Sequence, residues 1–277
     1  RLSCVSGVLL LHKKWSPFIP KNWKMEIAPF DDVAELALSL RGVTTILHLS
    51  GVTHADFGDE YWRGNVESTK NLVEAARKAA VRKIIYISTR AINDECGDYA
   101  KSKRESERLI MESGIKFVIL RLSEVYGFGS GEGINGLIRL TRWLPIIPYP
   151  RGASLFAPLF VDDALEGIMA ALQRDEVSGR TYTLAGPENL TFPELVTIIG
   201  RALNLRRYAL PVPEAVFRVL MIISRQARRP LLRYDQLERL CCLKNSDISQ
   251  AMADLGFRPR SFEAGIRLLI YSLKSIK

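Results

Sequence analysis

Tyr99 and Lys103 stand four residues apart in the run Asp98-Tyr99-Ala100-Lys101-Ser102-Lys103. On a helix that offset puts both side chains on one face, one turn apart. An ammonium near a phenol favours the phenolate and brings the phenol closer to a neutral-pH proton exchange. Ser88-Thr89 closes the strand-like run just upstream and offers a hydroxyl for the same substrate oxygen. Together these are the parts that oxidise an alcohol or reduce a carbonyl. The bland alternative is a solvated helix face beside a partly buried ring.

The elements that would hold these groups alternate between strand and helix, which predicts an α/β fold with a doubly wound parallel sheet. Val8 to His12, Trp23 to Ile27, Thr44 to Ser50, Lys83 to Ser88 and Lys116 to Leu122 read as strands. Asp31 to Leu40, Tyr61 to Ala80 and Tyr99 to Ser113 read as helices, Asp31 as an N-cap and Gly114 as a stop. Beyond Gly127 the alternation loosens. Phe128 to Gly133 is a glycine-rich loop, Ile134 to Trp143 a helix, and the proline-rich Leu144 to Pro150 breaks regularity. Asp162 to Leu172, Phe192 to Leu203 (introduced by Thr191) and Ser261 to Ser275 read as helices, with a strand from Thr181 to Leu184. The expected division is a cofactor domain over residues 1–127 and a mixed region over 128–277 that completes the sheet and forms a smaller, mostly helical substrate lobe.

In ordered blocks the chain resembles the short-chain dehydrogenase/reductase superfamily, in its extended, epimerase/dehydratase-like branch. His48-Leu49-Ser50-Gly51 is similar to the strand end that runs along the cofactor, and Asn65 to Ala76 to the helix after it. Ile87-Ser88-Thr89 and Tyr99…Lys103 look like the catalytic blocks. Arg121 to Gly127 resembles the next strand and turn, and Phe160 to Ala164 the opening of a later helix. The resemblance implies a Rossmann-like fold and an enzyme that moves hydride between a nicotinamide and a hydroxyl or carbonyl carbon. Tyr99 would be the acid/base, Lys103 would lower its pKa and hold the nicotinamide ribose, and Thr89, with Ser88 as fallback, would hold the substrate oxygen. Ser50, Gly51 and Ser123 join Tyr99 and Lys103 as expected cofactor contacts. Segments 134–150 and 256–262 look like those of nucleotide-sugar enzymes. A ketoreductase acting on a non-sugar carbonyl, and a non-catalytic scaffold or dinucleotide-sensing subunit, are the rivals.

Such a fold opens with a glycine-rich turn whose helix N-terminus holds the pyrophosphate. No G-x-x-G-x-x-G pattern occurs near the start, and the chain begins with Arg1, so the expectation is a piece of a longer gene product. His12-Lys13-Lys14, at the end of Val8 to His12, which the resemblance makes the fold's second strand, includes no acidic residue, which leans the cofactor from NAD toward NADP; two solvated lysines are the plain alternative.

Several positions depart from the pattern. Arg90 stands where many extended relatives have a third hydroxyl, and Phe156-Ala157-Pro158-Leu159 stands where sugar-nucleotide enzymes commonly place an arginine. Glu124 beside the expected nicotinamide edge is either a substrate contact or a surface carboxylate. Asp162 reads as an N-cap, and His48 and His54 as structural. Composition is that of a soluble globular chain: 277 residues, 47% hydrophobic and 25% charged. The net charge of +9 is scattered without an aromatic-interleaved stripe, which favours a small anionic partner over nucleic acid. Apolar runs such as Ala215 to Ser224 are too short to span a bilayer, and a core helix is preferred to a membrane-surface one. The resemblance leaves a homodimer open as the assembly. Cys4, Cys96, Cys241 and Cys242 show no metal-ligand spacing; the default is a reduced thiol set, hence a cytoplasmic location.

Overall fold

The computed structural model describes residues 7–11, 23–55, 57–128, 133–219 and 234–275. The expected His12-Lys13-Lys14 selectivity site, much of the loop after Phe128 and the end of the helix begun near Ala215 lie outside the described residues. Contacts cluster into two compact units that interleave along the chain. The first holds Arg1–Ile87, Ser102–Ile119 and Ser178–Arg180, and the second Ser88–Lys101, Leu120–Val177 and Thr181–Lys277.

In the first unit, β1 (Gly7–Leu11) pairs in parallel with β2 (Trp23–Ile27), Gly7 opposite Trp23 and Leu11 opposite Ile27. Helix α1 (Val33–Ser39) comes next, capped by Asp32 rather than the expected Asp31: the Asp32 carboxylate accepts from the amides of Ala34 and Glu35 at 2.8 and 3.0 Å. Only the residue whose backbone is extended just outside the first turn can bend its side chain onto those amides. Strand β3 (Thr45–His48) pairs in parallel with β4 (Lys83–Thr89), Thr45 opposite Lys83 and His48 opposite Tyr86. Between them the expected single helix is three segments: α2 (Gly58–Tyr61), a π-helical stretch Trp62–Glu67, and α3 (Ser68–Lys78). Leu36, Ile46, Leu72, Val73, Ile84, Tyr86, Ile110 and Ile119 belong to this unit's core, where residues of β3 and β4, together with Ile119, pack with residues of α1 and α3, together with Ile110.

The main sheet has the order β3-β4-β5-β9, where β5 is Lys116–Leu122 and β9 is Arg180–Leu184. Helix α4 (Gly97–Met111) runs unbroken from Tyr99 past Lys103.

The second unit has its own core, including Tyr126, Ile138, Phe156, Phe160, Leu195, Ile199, Phe262 and Ile266. The short β6 (Val125–Tyr126) precedes α5 (Ile134–Trp143). The proline-rich segment is not irregular after all: β7 (Ile146–Pro150) pairs in parallel with β10 (Tyr208–Val212) in a two-stranded sheet. Prolines are tolerated there because a strand with one partner can turn the positions lacking an N–H outward. Strand β8 (Leu159–Phe160) leads into α6 (Val161–Gln173), whose N-cap is Phe160 and not Asp162. Its neighbour Asp163 is the engaged carboxylate, bound by the Arg260 side chain and backbone. Thr191 caps α7 (Phe192–Ala202) in a reciprocal box with Glu194. Helices α8 (Tyr234–Cys241), α9 (Ser249–Leu255) and α10 (Phe262–Ser275) complete the chain order. Among the described residues no helix is long and apolar enough to cross a membrane.

Candidate active site

On the first unit, the end of β3 leads into Ser50 and Gly51, both exposed. A Cβ at Gly51 would lie 2.8 Å from Asn65 Oδ1 and 3.9 Å from Lys103 Nζ, so the backbone here must stay bare. Asn65 comes from the π-helical stretch and is fully committed. Its Oδ1 accepts from the Val52 amide at 2.7 Å, and its Nδ2 donates to Val52 O at 3.1 Å and Ser102 Oγ at 2.9 Å. The wider turn carries Asn65 inward, a recurrent use of such stretches. Lys103 is buried, donates to the Ile87 carbonyl at 2.8 Å and lies 4.1 Å from the centre of the Tyr86 ring. Burial pulls its pKa down to about 7, against the pull of the Glu107 carboxylate. His48 meets Thr69 Oγ1 at 3.0 Å. Burial, reinforced by the Lys103 charge, brings its pKa down to about 3, so the imidazole is held neutral.

On the second unit, Thr89 and Tyr99 are brought together: the Thr89 hydroxyl hydrogen-bonds the phenol and also accepts from the Ala91 amide at 3.1 Å. Gly97 opens α4 at φ +81°, and any Cβ there would run into the Glu238 carboxylate. Tyr99 is 9% exposed. Burial raises its pKa, opposed by the Arg239 guanidinium, 4.5 Å from the ring centre, and by the Thr89 hydrogen bond. The net displacement of the phenol is upward, and the cation opposing it is Arg239, which sequence spacing had not singled out. Ser88 Oγ is buried and, among the described residues, has no hydrogen-bond partner.

Ser123 Oγ donates to Ala157 O at 2.6 Å and its amide to Leu184 O at 3.0 Å, so its hydroxyl serves the fold of this unit. Glu124 is neither a lone surface group nor an open ligand: Arg90 and Lys244 both bind it. His54 Nδ1 is 2.8 Å from the Thr53 hydroxyl. Among the described residues no group of three His, Cys, Asp or Glu side chains is placed to hold a metal. Cys96 and Cys242 form a disulfide, leaving Cys241 free among the described residues. This corrects the expected reduced thiol set and removes the ground on which a cytoplasmic location was expected.

The pattern of the NAD dependent epimerase/dehydratase family matches residues 20–185, more than half of the chain. The chain belongs to that family. It is 23% identical over 263 residues to UDP-glucose 4-epimerase of Vibrio cholerae, covering 84% of this chain and 77% of the relative. It is 23% identical over 294 residues to the decarboxylating sterol-4-alpha-carboxylate 3-dehydrogenase of Candida albicans, covering 91% and 83%. Among solved structures it resembles Bacillus cereus UDP-glucuronic acid 4-epimerase in complex with UDP-glucuronic acid and NAD, with a TM-score of 0.70, 18% identity, and 93% and 83% coverage. The Rossmann-like α/β fold of these enzymes is the fold of this chain.

The family binds NAD, and the polar and bare-backbone groups around Gly51 are compatible with such a ligand. Gly51 leaves bare backbone where a Cβ would be blocked, and Lys103 spends one of three ammonium donors on Ile87. Within this family member the structure gives Lys103 and Gly51 to one unit and Thr89 and Tyr99 to the other, with α4 carrying Tyr99 and Lys103 on one unbroken helix.

Proposed function

We propose that this family member interconverts a hydroxyl and a carbonyl on a substrate carbon, with Tyr99 as acid/base and Thr89 as the hydrogen-bonding hydroxyl. The observation that carries the reading is the buried Tyr99 phenol hydrogen-bonded to Thr89 at the end of β4. Lys103, with the backbone at Ser50 and Gly51, would hold the cofactor ribose. Bound NAD or NADP supplies the hydride acceptor or donor. A protonated Tyr99 gives its proton to the carbonyl oxygen as that carbon is reduced, and the phenolate takes the proton back when the hydroxyl is oxidised. Once substrate is bound, Thr89 donates its one hydroxyl proton to the same oxygen. Orientation by fixed hydrogen bonds is the chain's contribution to the barrier.

A nucleotide-linked sugar is the proposed substrate class, supported by the UDP-sugar epimerases this chain resembles. A second reading, reduction of a simpler ketone, is favoured by Arg90: its guanidinium is committed to Glu124, Leu155 and Ser246 rather than offered to a diphosphate. Isothermal calorimetry of UDP-, GDP- and dTDP-sugars, with turnover assays in NAD(H) and NADP(H), tests both. Binding of one sugar nucleotide with Tyr99-dependent turnover supports the first reading. No binding across the panel alongside ketone reduction supports the second, and no Tyr99-dependent turnover of either class refutes the proposed activity.

A further inference from the structure

We propose that Arg239 is the positioning residue of Tyr99, fixed over its ring by the disulfide that joins the end of α8 to the start of α4. The inference rests on the acid/base reading of Tyr99 and deepens it. Arg239 sits in the last turns of α8 with its guanidinium 4.5 Å from the Tyr99 ring centre, within cation–π range. The residues just beyond α8 hold it in place. Cys242, whose amide donates to Glu238 O at 2.9 Å, is bonded to Cys96, three residues before Tyr99.

The rest of the strap is tied to the same region. Asn93 Nδ2 donates to Leu243 O at 2.8 Å, Arg90 Nη1 to Ser246 Oγ at 2.5 Å, and Lys244 to Glu124 at 3.3 Å. Ala91, Cys96, Ala100 and Cys242 pack into one small buried cluster under it. The strap is thus tied to the start of α4 by the disulfide and the Asn93 bond, and to the ends of β4 and β5 through Arg90 and Glu124.

The charged groups around the ring fall into two sets. Arg239 from α8 and the Thr89 hydroxyl from β4 act on the phenol directly. Glu238 from α8, Asp94 from the turn before α4, and Asp98 on α4 act on Lys101, whose ammonium is 3.0 Å from Asp98. Lys103 comes one turn after Tyr99 on α4, with its ammonium on Ile87 O. Arg239 is therefore the cation set to stabilise the phenolate that forms when Tyr99 gives up its proton, and its contact with the ring fixes the ring's orientation toward Thr89.

The test uses fluorotyrosine-labelled protein and ¹⁹F NMR, with the Tyr99 signal assigned by its loss in Tyr99→Phe. Arg239→Met keeps length and removes charge. It should move the signal and raise its titration midpoint by about one pH unit, the low end of the effect of a neighbouring opposite charge. Arg239→Lys should restore most of the shift. The paired change Cys96→Ser with Cys242→Ser should move the signal in the same direction as Arg239→Met. A Tyr99 signal with parent position and midpoint in Arg239→Met, in a protein of parent circular dichroism, overturns the role of Arg239. A parent signal in the serine pair overturns the clamp. These readouts do not need turnover, so an inactive Tyr99 would sink the proposed activity and leave this test decisive.

Discussion

The Arg90 guanidinium grips the Glu124 carboxylate with one nitrogen on both oxygens, at 3.0 and 2.8 Å, although the two residues lie on different strand ends. Lys244 reaches the same carboxylate at 3.3 Å, so two buried cations share one anion. Both Arg90 and Glu124 stood out in the sequence, and the structure shows that each accounts for the other. Burial raises the Glu124 pKa, but Lys244 and Arg90 together lower it more, and the net displacement is downward.

Glu124→Gln should therefore be among the most destabilising single changes in the second unit. It leaves Arg90 and Lys244 buried without their shared carboxylate, at a cost of about 3–5 kcal/mol. The lowered folded pKa sets the sign with pH. The stabilisation from Glu124 is present above its ordinary value of 4.5 and is lost as pH falls through the lower folded value. Thermal melts of parent and variant from pH 7 to pH 3 check this: the gap should be wide at pH 7 and close in acid.

Tyr99→Phe keeps the ring and the Arg239 contact but removes the transferable proton. Turnover should fall by roughly 10²-fold or more, with little change in cofactor affinity. Steady-state kinetics beside calorimetric NAD titration separates the two, and unimpaired turnover would take Tyr99 out of the mechanism.

Lys103 carries a burial penalty that is itself measurable. Its folded pKa of about 7 lies below its ordinary 10.5, so below pH 7 the buried ammonium costs its full desolvation. As pH rises from 7 toward 10.5 the folded protein sheds this proton before the unfolded chain does, and stability gains. Lys103→Met should therefore melt higher than the parent at acid pH and lose that advantage in alkali. It should also bind NAD less tightly. Melting curves that run parallel across this range would show that burial does not tune Lys103.

Gly51→Ala places a methyl 2.8 Å from Asn65 Oδ1, closer than real Cβ contacts run. Asn65 cannot step aside without giving up its bonds to Val52 and Ser102. The expected result is weaker NAD binding together with a loss of about 1–3 kcal/mol, the cost of leaving such buried polar groups unmatched. Fluorescence titration and denaturant melts read the two effects; parent values in both would mean that the strand end has room to spare.

How much of this the sequence carries depends on distance along the chain. Trp23–Ile27, Lys116–Leu122 and Ile134–Trp143 match their expected limits because period and end signals are local. The Thr191 cap was legible for the same reason. Strands β7 and β10 were not, since Pro148 and Pro211 speak against strands unless the partner across the pair is known. At the site, Thr89 and Tyr99 were readable as neighbours because they lie close in the chain. Arg239 over Tyr99, Arg90 on Glu124 and Cys96 with Cys242 join distant positions, and no spacing rule reaches them.

The bond between Cys96 and Cys242 also sets an order of events during synthesis. A chain leaving the ribosome presents Tyr99 and the start of α4 early, yet Cys242 emerges 146 residues after Cys96. At ~5–20 residues per second that interval is on the order of ten seconds. Through it Cys96 has yet to meet Cys242, and Tyr99 has yet to meet Arg239. The strap that carries Arg239 can therefore be locked to the start of α4 only after residue 242 has been made.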